Sequence, residues 1–168
     1  PITVTVNPVP SISTLDTPNL CEGDPAGFDL STVAVTDANV TGGLVTFHDA
    51  SPATGSNQVP DLVVTPAVTT TYYILSTTGD GCTNEIPVTV TVNSLPNIST
   101  ADTPSVCAGD PAGFDLIALT VVDANVTGGT ATYHSATPAT GANALGSTFI
   151  TPATTTTYYV LSTTNNGC

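Results

Sequence analysis

Residues 87–93 read Pro-Val-Thr-Val-Thr-Val-Asn (PVTVTVN), with Val88, Val90 and Val92 alternating strictly with Thr89 and Thr91. Successive side chains of a β-strand point to opposite faces, so this period of two gathers the valines on one face and the threonines on the other. One face suits a core and the other suits water, which is the pattern of a half-buried strand in a layered β protein. Working outward, residues 69–77 (TTTYYILST) read as a central strand, and Gly79, Asp80 and Gly81 make the turn between the two. Runs at 28–35, 44–48 and 62–65 supply further strands, separated by Gly, Pro, Asn and Asp clusters. No segment keeps a helical period. The expected fold is all-β: tandem immunoglobulin-like antiparallel β-sandwich domains of about seven strands each. Tyr72 and Tyr73, with Tyr158 and Tyr159, stand where such folds carry a tyrosine corner. A Cys follows about ten residues later rather than two, and the chain has no Trp.

The same alternation opens the chain, where residues 1–7 read PITVTVN. This is one end of an internal repeat with an 86-residue offset: Cys21 falls on Cys107, Cys82 on Cys168, and residues 23–30 (GDPAGFDL) on 109–116. Roughly 50 of about 80 paired positions are identical, and a period this long marks repeated whole domains rather than solenoid half-units. Three segments are expected: 1–8, the closing strand of a preceding repeat; 9–94, one repeat; and 95–168, a second repeat lacking its closing strand. The whole reads as a window on a longer array. Residues 93–96 (NSLP) form a short junction that favours semi-rigid stacking.

The 168 residues contain no Lys or Arg against 13 Asp and Glu, a net charge of −13. Nucleic-acid partners are excluded on this ground, because binding rests on cations that neutralise phosphate. Lysine-dependent phosphate loops and anionic membrane surfaces go the same way. With 40% hydrophobic residues the chain can nevertheless bury cores. No apolar run approaches the roughly 20 residues of a membrane span, so direct membrane insertion is not expected.

Each repeat holds one pair of cysteines, Cys21 with Cys82 and Cys107 with Cys168. The simplest expectation is a disulfide inside each repeat, which would place the protein in an oxidising, extracellular compartment. Free thiols, or a bond between Cys82 and Cys107, are the alternatives.

The order Cys-x-Gly-Asp, then Thr-Pro-Ala-x-Thr-Thr-Thr-Tyr-Tyr, Gly-Cys, and a closing Val-Thr-Val-Thr-Val-Asn-x-Leu-Pro carries a family resemblance. It resembles the tandem immunoglobulin- or PKD-like repeats of giant secreted surface proteins of Bacteroidota, including adhesins of gliding flavobacteria. The resemblance implies a cell-surface location, export by the type IX pathway, and a role in attachment and gliding. Phe47 and Tyr133 occupy a strand position where such repeats usually carry an aromatic, often Trp. Other members serve as spacers in enzymes, so the fold alone does not assign the function.

Candidate sites are few. His48 and His134 occupy matched positions after an aromatic. The neighbouring Asp49 becomes Ser135 in the second copy, which argues for structural histidines over a catalytic or metal role. Four acid pairs recur: Asp16/Asp102, Asp24/Asp110, Asp29/Asp115 and Asp37/Asp123. Two readings stand: turn chemistry, or, for Asp16 and Asp102 near the repeat junction, a Ca²⁺ site that stiffens the array. The triplets at 39–41, 97–99 and 125–127 match the N-glycosylation pattern, but the stretches at 39–43 and 125–129 read more simply as turns. No nucleophile–base pair or metal set appears, so no enzymatic activity is expected. The sequence leads to a repeat segment of a long surface adhesin or filament, whose partners are neighbouring repeats. The alternative is a spacer or carbohydrate-binding module of a secreted enzyme, with polysaccharide as partner.

Overall fold

The computed structural model describes residues 1–38, 43–124 and 128–168, which form two compact units, Pro1–Asn93 and Ser94–Cys168. The triplets at 39–41 and 125–127 lie outside the described residues. The first unit contains β1 (Ile12–Ser13), β2 (Asn19–Cys21), β3 (Phe28–Asp29), β4 (Thr36–Asp37), β5 (Leu44–His48), β6 (Val63–Val64), β7 (Thr70–Thr77) and β8 (Thr83–Asn93). The second contains β9 (Ile98–Ser99), β10 (Phe114–Asp115), β11 (Val122–Asp123), β12 (Thr130–His134), β13 (Phe149–Ile150) and β14 (Tyr159–Thr163). The fold is all-β and sandwich-like, as the alternation requires.

The alternating stretch is the second half of β8. Val88 is 3% exposed and Val90 fully buried, while Thr89 and Thr91 face solvent. β7 pairs antiparallel with β8 from Thr70↔Val90 to Thr77↔Thr83, and with β5 from Leu44↔Thr77 to His48↔Tyr73. Inward residues of β7 are Tyr72, Ile74 and Ser76. Together β5, β7 and β8 correspond to the C, F and G strands of an immunoglobulin-like sandwich. The sheet order is β2-β8-β7-β5, and β2 joins β8 in parallel, Asn19↔Thr91 to Cys21↔Asn93. This pair departs from the purely antiparallel expectation. Two short antiparallel ladders, β1–β4 and β3–β6, contribute Ile12 and Val64 to the core. Ile12, Leu20, Leu30, Val33, Phe47 and Val64 meet Tyr72, Ile74, Val88 and Val90 in a single cluster.

One expected strand is mostly absent. Of residues 28–35 only Phe28–Asp29 pairs as a strand, because the Asp29 carboxylate accepts from the backbone N–H and the hydroxyl of Ser31 and starts a 3₁₀ turn, Leu30–Thr32. A short polar side chain bonded to its own backbone competes with the ladder. Asp115 does the same at Leu116–Ala118. Gly27 fixes the approach to this turn. Its φ is +67°, and a Cβ there would sit 2.6 Å from the Val64 carbonyl oxygen.

The second unit repeats this plan with two differences among its described residues. No strand corresponds to β2 at 105–107, and residues 156–158, which match the start of β7, are not extended in a ladder. Both facts have one cause. In the first unit these segments bond to the valine stretch of β8, and among the described residues no strand of the second unit takes that place. Its hydrophobic residues are correspondingly less covered. Val106 is 36% exposed where its counterpart Leu20 is 7%, and Leu116 is the one buried hydrophobic residue among those described.

Candidate functional site

The polar residues shared by both repeats are engaged in holding loops. His48 is 2% exposed at the end of β5. Its Nδ1 lies 3.0 Å from the Thr54 carbonyl oxygen and 2.9 Å from Asn57 Oδ1, and its Nε2 lies 2.8 Å from Thr46 Oγ1. Two acceptors facing Nδ1 assign it the ring hydrogen, leaving Nε2 to accept from the threonine hydroxyl. Asn57 completes the knot. Its Oδ1 accepts from Thr54 N–H, and its Nδ2 donates to the carbonyls of Ala50 and Pro52. His134, Thr132, Thr140 and Asn143 rebuild the arrangement in the second unit. Both imidazoles have their ring nitrogens occupied by loop-holding contacts. The sequence signal for this partner was retention of Asn57 as Asn143 inside a stretch that otherwise varies between copies.

The four repeated acids are backbone latches. Asp16 Oδ2 accepts from Ala34 N–H, and Asp102 Oδ2 from Thr120 N–H, at 2.5 Å in each copy. Asp24 and Asp110 accept from the N–H two residues on, at Ala26 and Ala112. Asp37 accepts from Ser11 N–H and Asp123 from Asn97 N–H, tying β4 and β11 to the start of each unit. Calcium requires six to eight oxygens, and among the described residues no group of three or more His, Cys, Asp or Glu side chains is gathered for a metal. Asp16 and Asp102 thus each have a backbone partner and no assembled ligand set around them. Two carboxyls are held below their usual pKa: Asp29 by the Ser31 hydroxyl and then its N–H, and Glu85 by the Ser51 side chain and then Ala53 N–H. Burial, with Asp49 nearby, raises the Tyr72 phenol.

The cysteines correct the expectation of one bond per repeat. Cys21 and Cys168 are in disulfide linkage, whereas Cys82 and Cys107 are free thiols. The reason is geometric. Cys21 stands beside Asn93 at the last residue of β8, and Cys82 immediately precedes Thr83 at its first. Eleven strand residues separate these ends, roughly 35 Å at about 3.3 Å per residue. A disulfide needs Cα atoms within about 7 Å. Cys21 and Cys82 therefore sit at opposite poles of the sandwich and cannot bridge.

Two further features stand out. In the second unit an open groove of about 440 Å³ runs between residues 104–108 and 152–158, floored by Phe114, Leu116 and Ile150. These are the counterparts of the segments that flank β8 in the first unit. At the other end of the chain, Ile2, Val4 and Val6 are 96, 81 and 88% exposed and belong to no strand. Near them, the Cys82 thiol lies 3.8 Å from the Asn7 carbonyl oxygen.

These latches and sheets define the class: a tandem all-β sandwich repeat. No protein-family model matches the chain, and no curated protein matches it. Among the described residues no helix is long and apolar enough to cross a membrane.

Proposed function

We propose that the chain is a non-enzymatic structural segment of a long bacterial cell-surface adhesin or filament, serving attachment and gliding. The observation that carries this reading is the use made of the residues both copies share. The His–Asn knots, the Asp latches and the valine alternation all maintain the sandwich, and what repeats is a building block rather than a chemical centre. One such sandwich extends about 35–45 Å, from strands near 3.3 Å per residue plus loops, and an array of them gives reach. A disulfide together with a surface free of Lys and Arg suits an extracellular setting exposed to trypsin-like proteases. The resemblance to Bacteroidota surface repeats points the same way.

The test is antibody labelling of this repeat on living source cells, with attachment and movement recorded before and after. Label along surface fibres with attachment or gliding impaired supports the filament. Label confined to culture fluid, with cell behaviour unchanged, refutes it in favour of a spacer or glycan-binding module of a secreted enzyme. A polysaccharide platform would need a row of exposed aromatics. Among the described residues Phe149 alone is an exposed aromatic, which weighs against that alternative.

A further inference from the structure

We propose that the knot at the end of β5 is also an acyl-acceptor site. Thr46 is its nucleophilic hydroxyl, His48 the general base and Asn57 the group that orients the base; the ligand class is a small activated acyl ester. Thr132, His134 and Asn143 build the same site in the second unit. The step places one acyl group on each hydroxyl and involves no turnover, so it stands apart from the filament reading and from the protein's location.

Residues two apart on a strand share a face, so the Thr-x-His spacing sets hydroxyl and imidazole side by side. Thr46 Oγ1 lies 2.8 Å from His48 Nε2, and Asn57 Oδ1 lies 2.9 Å from His48 Nδ1. In the second unit both distances are 2.9 Å. A hydroxyl in hydrogen-bond reach of an imidazole, whose other nitrogen is held by a third group, is the arrangement that activates serine, threonine and cysteine nucleophiles. The tautomer is the one this chemistry needs. With Nδ1 donating toward Asn57 Oδ1 and the Thr54 carbonyl, Nε2 keeps its lone pair for the hydroxyl proton.

Burial, charge and access agree with these roles. Both imidazoles are buried, whereas Thr46 is half-buried and Thr132 exposed, so the base is shielded while the hydroxyl can be reached. Glu85 lies on the same face two strands across, through the pairs Thr46↔Leu75 and Leu75↔Glu85, and its charge acts on His48. That charge favours the imidazolium formed when the hydroxyl gives up its proton. An open groove of about 420 Å³ adjoins Thr46, and Val33, Val45, Phe47 and Leu62 in its lining suit a short acyl chain. In the step itself, Thr46 Oγ1 attacks the carbonyl carbon of the ester and His48 Nε2 takes its proton. The tetrahedral adduct collapses, the bond to the departing alcohol breaks, and the imidazolium returns the proton to that alcohol. One ester is exchanged for another, without an oxidant and without net uptake or release of a proton.

The experiment treats the full chain with 4-nitrophenyl acetate after capping the thiols of Cys82 and Cys107 with iodoacetamide. The chain has no Lys to compete for the reagent. Chymotryptic peptide mapping by mass spectrometry should place acetyl groups on Thr46 and Thr132, at rates about a hundredfold above any other Ser or Thr hydroxyl, the lower end of what a positioned base supplies. The Thr46 rate should rise with pH while the imidazole loses its proton and then level off, a profile that a merely structural threonine does not give. Thr46→Val is close to isosteric at a half-buried position and should keep the circular dichroism of the parent while losing the acetyl group there; Thr46→Ser should keep both. Acetylation spread evenly over the exposed hydroxyls, a Thr46 rate that climbs with hydroxide without levelling, or a folded Thr46→Ser chain left unlabelled at residue 46 would each overturn the proposal.

Discussion

The same Thr-Val-Thr sequence stands in two environments, which permits a sharp comparison between Val90→Ala and Val4→Ala. Val90 is fully buried against Tyr72, Ile74 and Val88, whereas its repeat counterpart Val4 is 81% exposed. Truncating Val90 removes two methyl groups from a packed core. At about 0.8 kcal/mol per CH₂ the transfer loss is about 1.6 kcal/mol, and the residual cavity brings the cost to about 2–3 kcal/mol. A unit of this size loses about 4–8 °C in Tm per kcal/mol, so the transition of the first unit should fall by roughly 10–20 °C. Val4→Ala changes no buried surface and should leave both transitions within about 2 °C of the parent. Differential scanning calorimetry on dilute, non-associating protein resolves the two units. If Val4→Ala destabilised as much as Val90→Ala, or if Val90→Ala left the first transition in place, the assignment of residues 87–93 as the core-closing strand would be refuted.

Alkylation of the native protein without reductant should modify Cys82 and Cys107, with Cys107 reacting faster because it is exposed, and should spare Cys21 and Cys168 until a reductant is added; peptide mapping reads this, using chymotrypsin because the chain offers trypsin no site. Asn57→Leu should destabilise the first unit by about 2–4 kcal/mol in urea titrations, since it leaves the Thr54 N–H and the Ala50 and Pro52 carbonyls without their partner. Gly27→Ala should cost about 2–4 kcal/mol, combining a left-handed backbone angle with the close Val64 carbonyl. The depressed carboxyls give a signed pH dependence. Asp29 and Glu85 titrate lower folded than unfolded, so their contribution is present above the ordinary carboxylate range and is lost as pH falls through their folded values. Tm should therefore be flat from neutral pH to about 5 and fall on further acidification, and Glu85→Gln should reduce that fall.

The sheet was legible in the sequence because its signal is local. Alternation at 87–93, the 69–77 run and the glycine turn between them translate directly into β7 and β8. What failed to show involved competition or distance. The 28–35 run looked like a strand because its apolar content was visible, while the bond from Ser31 to the Asp29 carboxylate that diverts the backbone leaves no periodic trace. The parallel seat of β2 on β8 joins segments about seventy residues apart, and nothing in residues 19–21 announces the partner. Cysteine spacing likewise carried no information about which pole of the sandwich each thiol occupies. The Asp latches were readable as turn formers, and the His48–Asn57 knot only through the retention of Asn57.

The poles matter more than the spacing. Cys21 stands beside Asn93, the last residue of the first unit, and Cys82 stands beside Asn7, which ends a segment that differs only at Ile2 for Val88 from the one that ends at Asn93. A cysteine pair meant to clamp a single sandwich would sit across its core, where both partners would be buried by the same side chains. A pair divided between the two ends cannot stiffen that sandwich at all.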